Sequence, residues 1–243
     1  MKKLFLLSCL LMMALASGAQ NVQFHYDFGR GLYSNEEATR QKVTVTFEQF
    51  KADATGSWFW FIDLDMYQDG MKGAYTEISR EFTFAPTSAN TSLAAHIEYN
   101  GGMTTFKQGG GGTRYQNAAL AGVALNGHNA DFSTTWSVQA LYKRFFKQGG
   151  SKAYNSFQLT GVWGVNFAGG KGTFSGFLDF WREETFSGHG KMVLLSEPQI
   201  WYNVDKHLSF GSEVEISNNF IFPECITEKS FYVNPTIAVK YNF

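Results

Sequence analysis

Carboxylates alternate with aromatic side chains in two neighbouring stretches, SWFWFIDLDMYQ at 57–68 and GAYTEISREFTF at 73–84. Aromatic faces stack flat rings, with about 1–3 kcal/mol per base in proteins that bind single strands of nucleic acid. Carboxylates accept hydrogen bonds from ring N–H groups and sugar hydroxyls. If both residue types share one surface, that surface would suit a flat, hydrogen-bonding solute such as a nucleobase with its sugar. Sugars alone suit it too, so this chemistry leaves the solute open.

A period of two decides which side chains share a surface. Segment 57–68 has one face with Trp58, Trp60, Ile62, Leu64 and Met66 and another with Phe59, Phe61, Asp63, Asp65 and Tyr67. Two faces of such different polarity are typical of a transmembrane β-strand, which meets lipid on one side and a lumen on the other. Because an acidic side chain facing lipid costs free energy that an aqueous lumen removes, the face with Asp63 is predicted to point inward.

Segments of this kind recur along the chain, and we count twelve. They lie at about 21–29, 42–51, 57–67, 73–84, 91–100, 114–126, 131–145, 156–167, 172–183, 191–202, 208–217 and 231–243. Strands of roughly 9–11 residues cross a bilayer when tilted, and bacterial outer-membrane barrels have an even strand number. The connections also alternate in length, with the short 68–72 segment as the main exception. We therefore predict an all-β fold, a single closed antiparallel transmembrane β-barrel of about 12 strands with short periplasmic turns and longer extracellular loops.

The N-terminus predicts export. Residues 1–19 contain two lysines, an apolar run from Leu4 to Ala16 and small residues before a cut ahead of Gln20, as in a secretory signal peptide that is removed. A lipoprotein signal ending at Cys9 is the alternative, but it leaves about five apolar residues where roughly seven are needed. Residues 20–243 are then the barrel, predicted to lie in the outer membrane of a bacterial cell and to contact its lipid.

Composition excludes several other classes. After the N-terminus no apolar run approaches the roughly 18 residues of a spanning helix. The formal net charge is −1, and removal of Lys2 and Lys3 makes the chain more acidic, so no nucleic-acid partner is predicted. Cys225 would remain as a lone cysteine, which excludes a disulfide or a cysteine metal cluster.

A secreted soluble β-sandwich or lipocalin-like barrel also alternates. The final IAVKYNF, an alternating strand that ends on phenylalanine, favours the membrane barrel instead. Aromatic residues at strand ends favour it too, because they resemble interfacial girdles: Trp58, Phe82, Phe84, Trp163, Phe167, Tyr241 and Phe243.

The same parity predicts a strongly acidic lumen. Inward acids are Asp27, Glu48, Asp63, Asp65, Glu77, Glu81, Glu98, Asp179, Glu183, Glu197, Glu213 and Glu215, whereas Lys143 and Lys240 are the clearest inward bases. A low-dielectric wall around these charges would favour cations and repel anions. The candidate solute-binding residues are Phe59, Phe61, Asp63, Asp65, Tyr75, Glu77, Glu81 and Glu98. The alternative is that these side chains only fill and hydrogen-bond a narrow interior.

Three residues conflict with this pattern. Pro198 and Pro235 lie inside predicted strands, where the missing N–H breaks the ladder, and local bulges are expected to accommodate them. Arg80 falls on the outward face near a turn, where it is expected to extend to the membrane interface.

The run TVTFEQFKADATGSWFWFIDLDMYQ followed by GAYTEISREFTF resembles the Tsx family of nucleoside-specific outer-membrane channels and a related uncharacterised barrel family. The similar elements are Phe47-Glu48 with Phe50, the aromatic strand ending in Asp63, Glu77-Ile78 with Phe82, Gly176-Phe177 before Asp179-Phe180, and the ending Lys240-Tyr241-Asn242-Phe243. The resemblance implies a twelve-stranded monomer with a narrow pore that passes nucleosides along Phe59, Phe61, Asp63 and Glu77. The segment after Asp65 and the loops are shorter here than in that family.

Catalytic signatures are missing from the sequence. Outer-membrane phospholipases pair serine with histidine on the outer face, whereas His25 and His96 are predicted to face inward and the remaining histidines lie in connections. No G-x-S-x-G, H-x-x-x-H or phosphate-binding loop occurs, since Gly109–Gly112 is not followed by Lys-Ser/Thr. We therefore predict a channel for passive uptake of nucleoside-like solutes, without catalytic residues, metal or cofactor. A non-transporting structural or adhesive barrel is the main alternative, and a lipid-modifying enzyme is a further one.

Overall fold

The structure is a computed structural model that describes residues 20–33, 41–68, 70–105, 111–148, 150–184, 189–220 and 230–243. The predicted signal peptide at 1–19, Cys225 and part of Gly109–Gly112 lie outside the described residues. Within the described residues, no helix is both long and apolar enough to cross a membrane.

Almost all regular structure belongs to one antiparallel sheet. Its strands are β1 (Gln20–Asp27), β2 (Val43–Asp53), β3 (Gly56–Tyr67), β4 (Gly70–Ser88), β5 (Thr91–Thr105), β6 (Gly112–His128), β7 (Thr134–Phe145), β8 (Tyr154–Phe167), β9 (Gly172–Glu184), β10 (Gly190–Ser196), β11 (Gln199–Asn203), β12 (Leu208–Asn218) and β13 (Phe231–Asn242). A short helical turn, α1 (Gly29–Leu32), follows β1, and a 3-10 turn (Ala168–Gly170) joins β8 to β9. Several strands are longer than predicted, because hairpin pairing continues to the two-residue turns at 54–55 and 89–90.

The sheet closes on itself. Strand β13 pairs with β1 from Asn21 opposite Asn242 to Asp27 opposite Thr236. Strands β10 and β11 each pair with β9 on one side and β12 on the other, so they are two halves of one wall strand. The predicted twelve-stranded closed barrel is therefore confirmed, with one strand divided in two. Closure removes the unpaired edges that an open sheet would expose.

The division lies at Glu197 and Pro198. Pro198 has no N–H for the ladder, but its carbonyl accepts a hydrogen bond from the N–H of Val214 at 3.0 Å. The N–H of Glu197 donates to the carbonyl of Phe177 at 3.1 Å. Gly176 allows this close approach, since a Cβ there would lie 2.6 Å from the Glu197 carbonyl oxygen. The expected bulge at Pro198 is thus a two-residue interruption of the strand.

Pro235 on β13 is accommodated by a side chain. It lies opposite Val214, and the Thr236 hydroxyl accepts from the Glu213 N–H and donates to the Glu213 carbonyl, both at 3.1 Å. The Pro235 carbonyl accepts from the N–H of Phe28 at 2.9 Å on the other side. The Thr236 hydroxyl therefore replaces ladder bonds between β12 and β13 beside the proline.

The connections define two ends of the barrel. One end has the connections 54–55, 89–90, 129–133, 168–171 and 204–207, and the other has 28–42, 68–69, 106–111, 146–153, 185–189 and 219–230. We call them the short-turn end and the long-loop end. Gln20 and Phe243 meet at the short-turn end, where the Phe243 N–H donates to the Gln20 carbonyl at 3.0 Å. The predicted alternation in loop length is confirmed, with 68–69 as its exception.

The outer surface is largely apolar. Exposed aromatic residues cluster near the short-turn end, and each is 43–60% exposed. They are Trp58, Phe82, Phe84, Phe167, Tyr241 and Phe243. Others, including Tyr26, Phe28 and Phe231, lie near the long-loop end. Such rings at strand ends form the girdles of outer-membrane barrels.

An apolar cluster occupies part of the interior, beside buried polar side chains such as Lys143 and Gln158. Inward side chains of β6 to β10 form a packed cluster of Ala118, Leu120, Leu141, Phe145, Tyr154, Trp181 and Val193, with Leu195 at its margin. We call this the apolar wall. Parity alone predicted a strongly acidic lumen, but it does not report how inward residues are distributed around the barrel. Polar side chains concentrate on the remaining strands.

Arg80 is bound at the membrane interface of the short-turn end. Its side chain is only 6% exposed, and its guanidinium nitrogens lie 2.8 and 3.0 Å from the two carboxylate oxygens of Asp53. It also donates to the hydroxyl of Thr55 and lies over the rings of Trp58 and Phe82, at 5.2 and 4.9 Å from their centroids. The outward arginine is therefore compensated by a specific set of partners near the surface.

We expect Arg80→Gln to lower the free energy of unfolding by about 2 kcal/mol, because it removes charge-assisted hydrogen bonds and cation–π contacts. Urea unfolding of the barrel in detergent micelles measures this change. Arg114→Gln is the control, since Arg114 is exposed and surface substitutions change stability by about 0.5 kcal/mol or less. Equal effects of the two substitutions would contradict a specific role for Arg80.

Candidate functional site

Strands β3, β4 and β5 bring the predicted solute-binding residues onto one wall. Asp63 lies opposite Tyr75, Phe61 opposite Glu77, and Ser79 opposite both Phe59 and Glu98. Because side chains alternate between the two faces of a strand, these pairings place one set on the inner face: Phe59, Phe61, Asp63, Asp65, Tyr75, Glu77, Glu81 and Glu98. The paired strands thus bring residues from three consecutive segments of the chain onto one surface.

Four aromatic rings form a continuous series inside the barrel. The centroids of Phe59 and Phe61 are 6.0 Å apart, those of Phe61 and Tyr75 6.0 Å, and those of Tyr75 and Tyr115 5.9 Å. These spacings are typical of aromatic pairs in contact. We call the series Phe59, Phe61, Tyr75 and Tyr115 the aromatic ladder.

Tyr115 is the member that the sequence analysis missed. Ala118 and Leu120 of β6 face inward, so strict alternation would place Tyr115 outside. The pairing of β5 with β6 shifts between Asn100 opposite Ala118 and Gly102 opposite Tyr115, which inserts one extra residue into β6. A bulge of this kind reverses the alternation beyond it. Gly102 gives the ring room, because a Cβ there would lie 2.8 Å from it.

Two carboxylates lie beside the aromatic ladder. The Tyr75 hydroxyl donates to Glu77 Oε1 at 2.7 Å, and the Thr46 hydroxyl donates to Asp63 Oδ1 at 2.5 Å. A carboxylate has about four lone-pair sites, so one neutral donor orients each group and leaves capacity for a solute. Asp63 and Glu77 are therefore the carboxylates best placed to act together with the rings.

Acids from several walls converge within the barrel. Glu197 lies close enough to interact electrostatically with Asp63, Asp179, Glu213 and Glu215, and Asp63 interacts in the same way with Glu48. We call these six residues the acidic ring. Strands β3 and β9 lie on opposite walls, because half of the twelve strand positions separate them. The acidic ring therefore spans the interior.

Neutral donors hold much of the acidic ring. Glu213 accepts from the Gln199 amide at 2.6 Å, Asp179 from the Thr160 hydroxyl at 2.5 Å, Glu48 from the Asn21 amide at 2.9 Å and Glu215 from the Asn234 amide at 3.1 Å. Hydrogen bonds from amides and hydroxyls orient a carboxylate without cancelling its charge. Parity predicted that these acids face inward. Only the closed barrel shows that acids from distant strands lie near one another.

Glu81 and Glu98 belong to a different group. His96 lies between them, with Nδ1 3.1 Å from Glu81 Oε1 and Nε2 3.0 Å from Glu98 Oε2. The Asn126 amide also donates to Glu81 Oε2 at 2.6 Å. These contacts tie Glu81 into an internal network on the inner face of β4 to β6. Glu81 and Glu98 therefore bond to other interior side chains, whereas Asp63 and Glu77 lie directly beside aromatic rings.

Sequence comparison assigns the chain to a family. A family model described as "Domain of unknown function (DUF5020)" matches residues 19–243. The chain belongs to the DUF5020 family. The description of the DUF5020 family names no activity. No curated protein matches the chain.

Two solved structures show the kind of barrel that this DUF5020 chain forms. The NanC porin in a rhombohedral crystal form has a TM-score of 0.59 at 9% identity, and the alignment covers 93% of this chain and 99% of that one. The KdgM porin has a TM-score of 0.52 at 11% identity, with 93% and 99% coverage. At such low identity the likeness establishes the outer-membrane barrel fold alone. Neither is named as a nucleoside channel, so the resemblance to the Tsx family stays a prediction.

We expect Glu81 and His96 to be energetically coupled. Each of Glu81→Leu and His96→Leu should lower the free energy of unfolding in urea, because each removes one partner of a hydrogen bond between buried polar groups. The double variant should lose less than the sum of the two, with a coupling energy of about 1 kcal/mol or more. Additivity within about 0.5 kcal/mol would contradict the network.

Proposed function

We propose that the protein is an outer-membrane channel for the passive uptake of small solutes, selective for nucleoside-like compounds and without catalytic activity. The observation that carries this proposal is the aromatic ladder beside Asp63 and Glu77. It combines, on one inner wall, the two groups that recognise a nucleobase and its sugar. The porin-like fold supports the proposal at a coarser level.

The aromatic ladder would supply stacking faces. A planar base can lie against Phe61 or Tyr75, and successive rings at about 6 Å give it a next contact as it moves along the wall. Stacking of a base on an aromatic side chain tolerates all bases, because every base has a π-face. The ladder therefore favours nucleosides as a class.

The carboxylates would supply the polar contacts. Asp63 and Glu77 can accept hydrogen bonds from sugar hydroxyls and from base N–H groups. The acidic ring adds a negative field that attracts cations and repels anions. A neutral nucleoside fits both conditions, whereas a nucleotide with its phosphate does not.

The outer face supports a location in the bacterial outer membrane. Apolar side chains such as Ile62, Ile97 and Leu178 are exposed on the barrel wall and would contact lipid. Each wall strand finds both pairing partners within the chain, so the barrel needs no second copy to close. We propose a monomer on that ground.

The apolar wall favours a second candidate, a non-transporting structural barrel. Packed side chains such as Trp181 and Leu120 occupy part of the interior and narrow any passage.

An enzymatic role has less support. His25 and His96 bond to interior acceptors, while His128 and His207 stack on Phe132 and Tyr241. A conductance measurement distinguishes the channel from the structural barrel, because a structural barrel would carry no current.

We expect the purified barrel to conduct with cation preference in planar bilayers under a KCl gradient. Asp63→Asn with Asp65→Asn should lower the K⁺/Cl⁻ permeability ratio at least about twofold, because part of the focusing field is lost. Asp131→Asn, in an exposed turn, is the control. If the aspartate variant does not fold, Glu213→Gln tests the same field. An unchanged ratio in a folded variant would contradict the role of the acidic ring.

We also expect nucleosides to reduce the conductance in a saturable way. Phe61→Ala with Tyr75→Ala should weaken the apparent affinity roughly tenfold, because each stacked base contributes about 1–3 kcal/mol. Phe84→Ala, on the outer face, is the matched control. Block by neutral sugars without block by nucleosides would exclude the nucleoside proposal, and absence of conductance would favour the structural barrel.

A further inference from the structure

A cavity at the short-turn end lies apart from the aromatic ladder and has the opposite charge. Its volume is about 460 Å³, and its lining includes Lys171, Lys206, Lys240, Asn203, Asp205 and Asn242. It lies between the β8–β9 turn, the β11–β12 turn and the end of β13. With three lysines and one aspartate in its lining, the cavity is basic, whereas the interior of the barrel is acidic.

Lys240 reaches the cavity from the inner face of β13. Its ammonium nitrogen lies 4.1 Å from the centroid of the Trp201 ring. Trp201 is 1% exposed, and its indole N–H donates to Gln199 Oε1 at 3.0 Å, so the ring is fixed. Among the described residues, none of the ion pairs within 4.0 Å involves Lys240. The ring orients the ammonium group, but its N–H donors still need acceptors.

Asp205 does not neutralise this cavity. Its carboxylate accepts from the backbone N–H groups of His207 at 2.7 Å and Leu208 at 2.8 Å. These two hydrogen bonds hold the pKa of Asp205 below its usual range, and they direct the carboxylate toward its own turn. The Asp205 carboxylate is therefore bound within its own turn, and the three lysines outnumber it in the lining of the cavity.

The walls of the cavity are held in place. The Asn203 amide donates to the Gly170 carbonyl at 2.8 Å and to the Thr173 hydroxyl at 3.0 Å, which joins the two turns. Gly169 and Gly170 have φ values of 66° and 84°, a left-handed conformation that glycine adopts without strain. A site fixed in this way loses little entropy when a ligand binds.

We propose that this cavity binds a small soluble oxyanion, a phosphate or carboxylate group, between Lys240 on the lumen side and Lys171 and Lys206 on the turns. Ammonium groups bind such oxygens through charge-assisted hydrogen bonds. A lipid headgroup offers the same chemistry, but Lys240 points to the interior, so the soluble anion is favoured. The proposal is independent of nucleoside transport.

The test uses the full barrel in non-ionic detergent, titrated calorimetrically with inorganic phosphate and separately with acetate. Phosphate should bind saturably, more weakly as salt is added, and Lys240→Gln should weaken binding roughly tenfold or more through the loss of a charged hydrogen bond. Lys51→Gln is the matched control, because Lys51 is an exposed lysine at the same end but outside the cavity. Absence of saturable binding, or equal loss in both variants, would overturn the proposal.

Lys171→Gln with Lys206→Gln is a second variant whose changes lie in turns and do not threaten the sheet. It should also weaken phosphate binding, and full retention would overturn the proposed site. In micelles doped with phosphatidylglycerol, free phosphate should still bind with unchanged affinity. Displacement of phosphate by the lipid would assign the lysines to a headgroup and overturn the soluble ligand.

Discussion

Pairing of backbone N–H and C=O groups within one closed sheet is the constraint on which the rest of the structure depends. In hydrocarbon no water is available to unpaired N–H and C=O groups, so only a closed barrel allows strands to span. The meeting of β13 with β1 completes that closure. Pro198 and Pro235 are accommodated within this pairing, because the Val214 N–H donates to the Pro198 carbonyl and the Thr236 hydroxyl bonds the Glu213 backbone beside Pro235. Closure then forces each strand to divide its side chains between lipid and lumen.

The lumen, in turn, combines three environments. The apolar wall packs like a protein core, the acidic ring is oriented by neutral amides and hydroxyls, and the aromatic ladder lies on β3, β4 and β6. These amide and hydroxyl donors fix the orientation of the carboxylates without placing a counter-charge beside them. The charge of the lining residues changes along the barrel axis, from acidic in the interior to basic in the cavity at the short-turn end.

Much of this could be predicted from alternation alone. The period of two in segment 57–68 correctly separated Asp63 and Phe61 from Trp58 and Ile62, and the count of alternating segments predicted the twelve-stranded wall. Tyr115 was missed because a bulge reverses parity, and nothing in the local sequence marks that bulge apart from Gly101 and Gly102. The apolar wall was missed because parity gives the face of a residue but not its height or its neighbours across the barrel. The resemblance to nucleoside channels concerns solute choice, which neither the fold nor the family description addresses.

The central claim is that an acidic, aromatic-lined lumen admits nucleosides and rejects their anionic counterparts. Uptake of radiolabelled adenosine and of adenosine monophosphate into liposomes containing the barrel tests it most directly, since the two solutes share the base and sugar and differ in the phosphate. Adenosine should enter well above the rate of protein-free liposomes, and the monophosphate should stay near that background. Equal entry of both solutes, or faster entry of the monophosphate, would contradict the account.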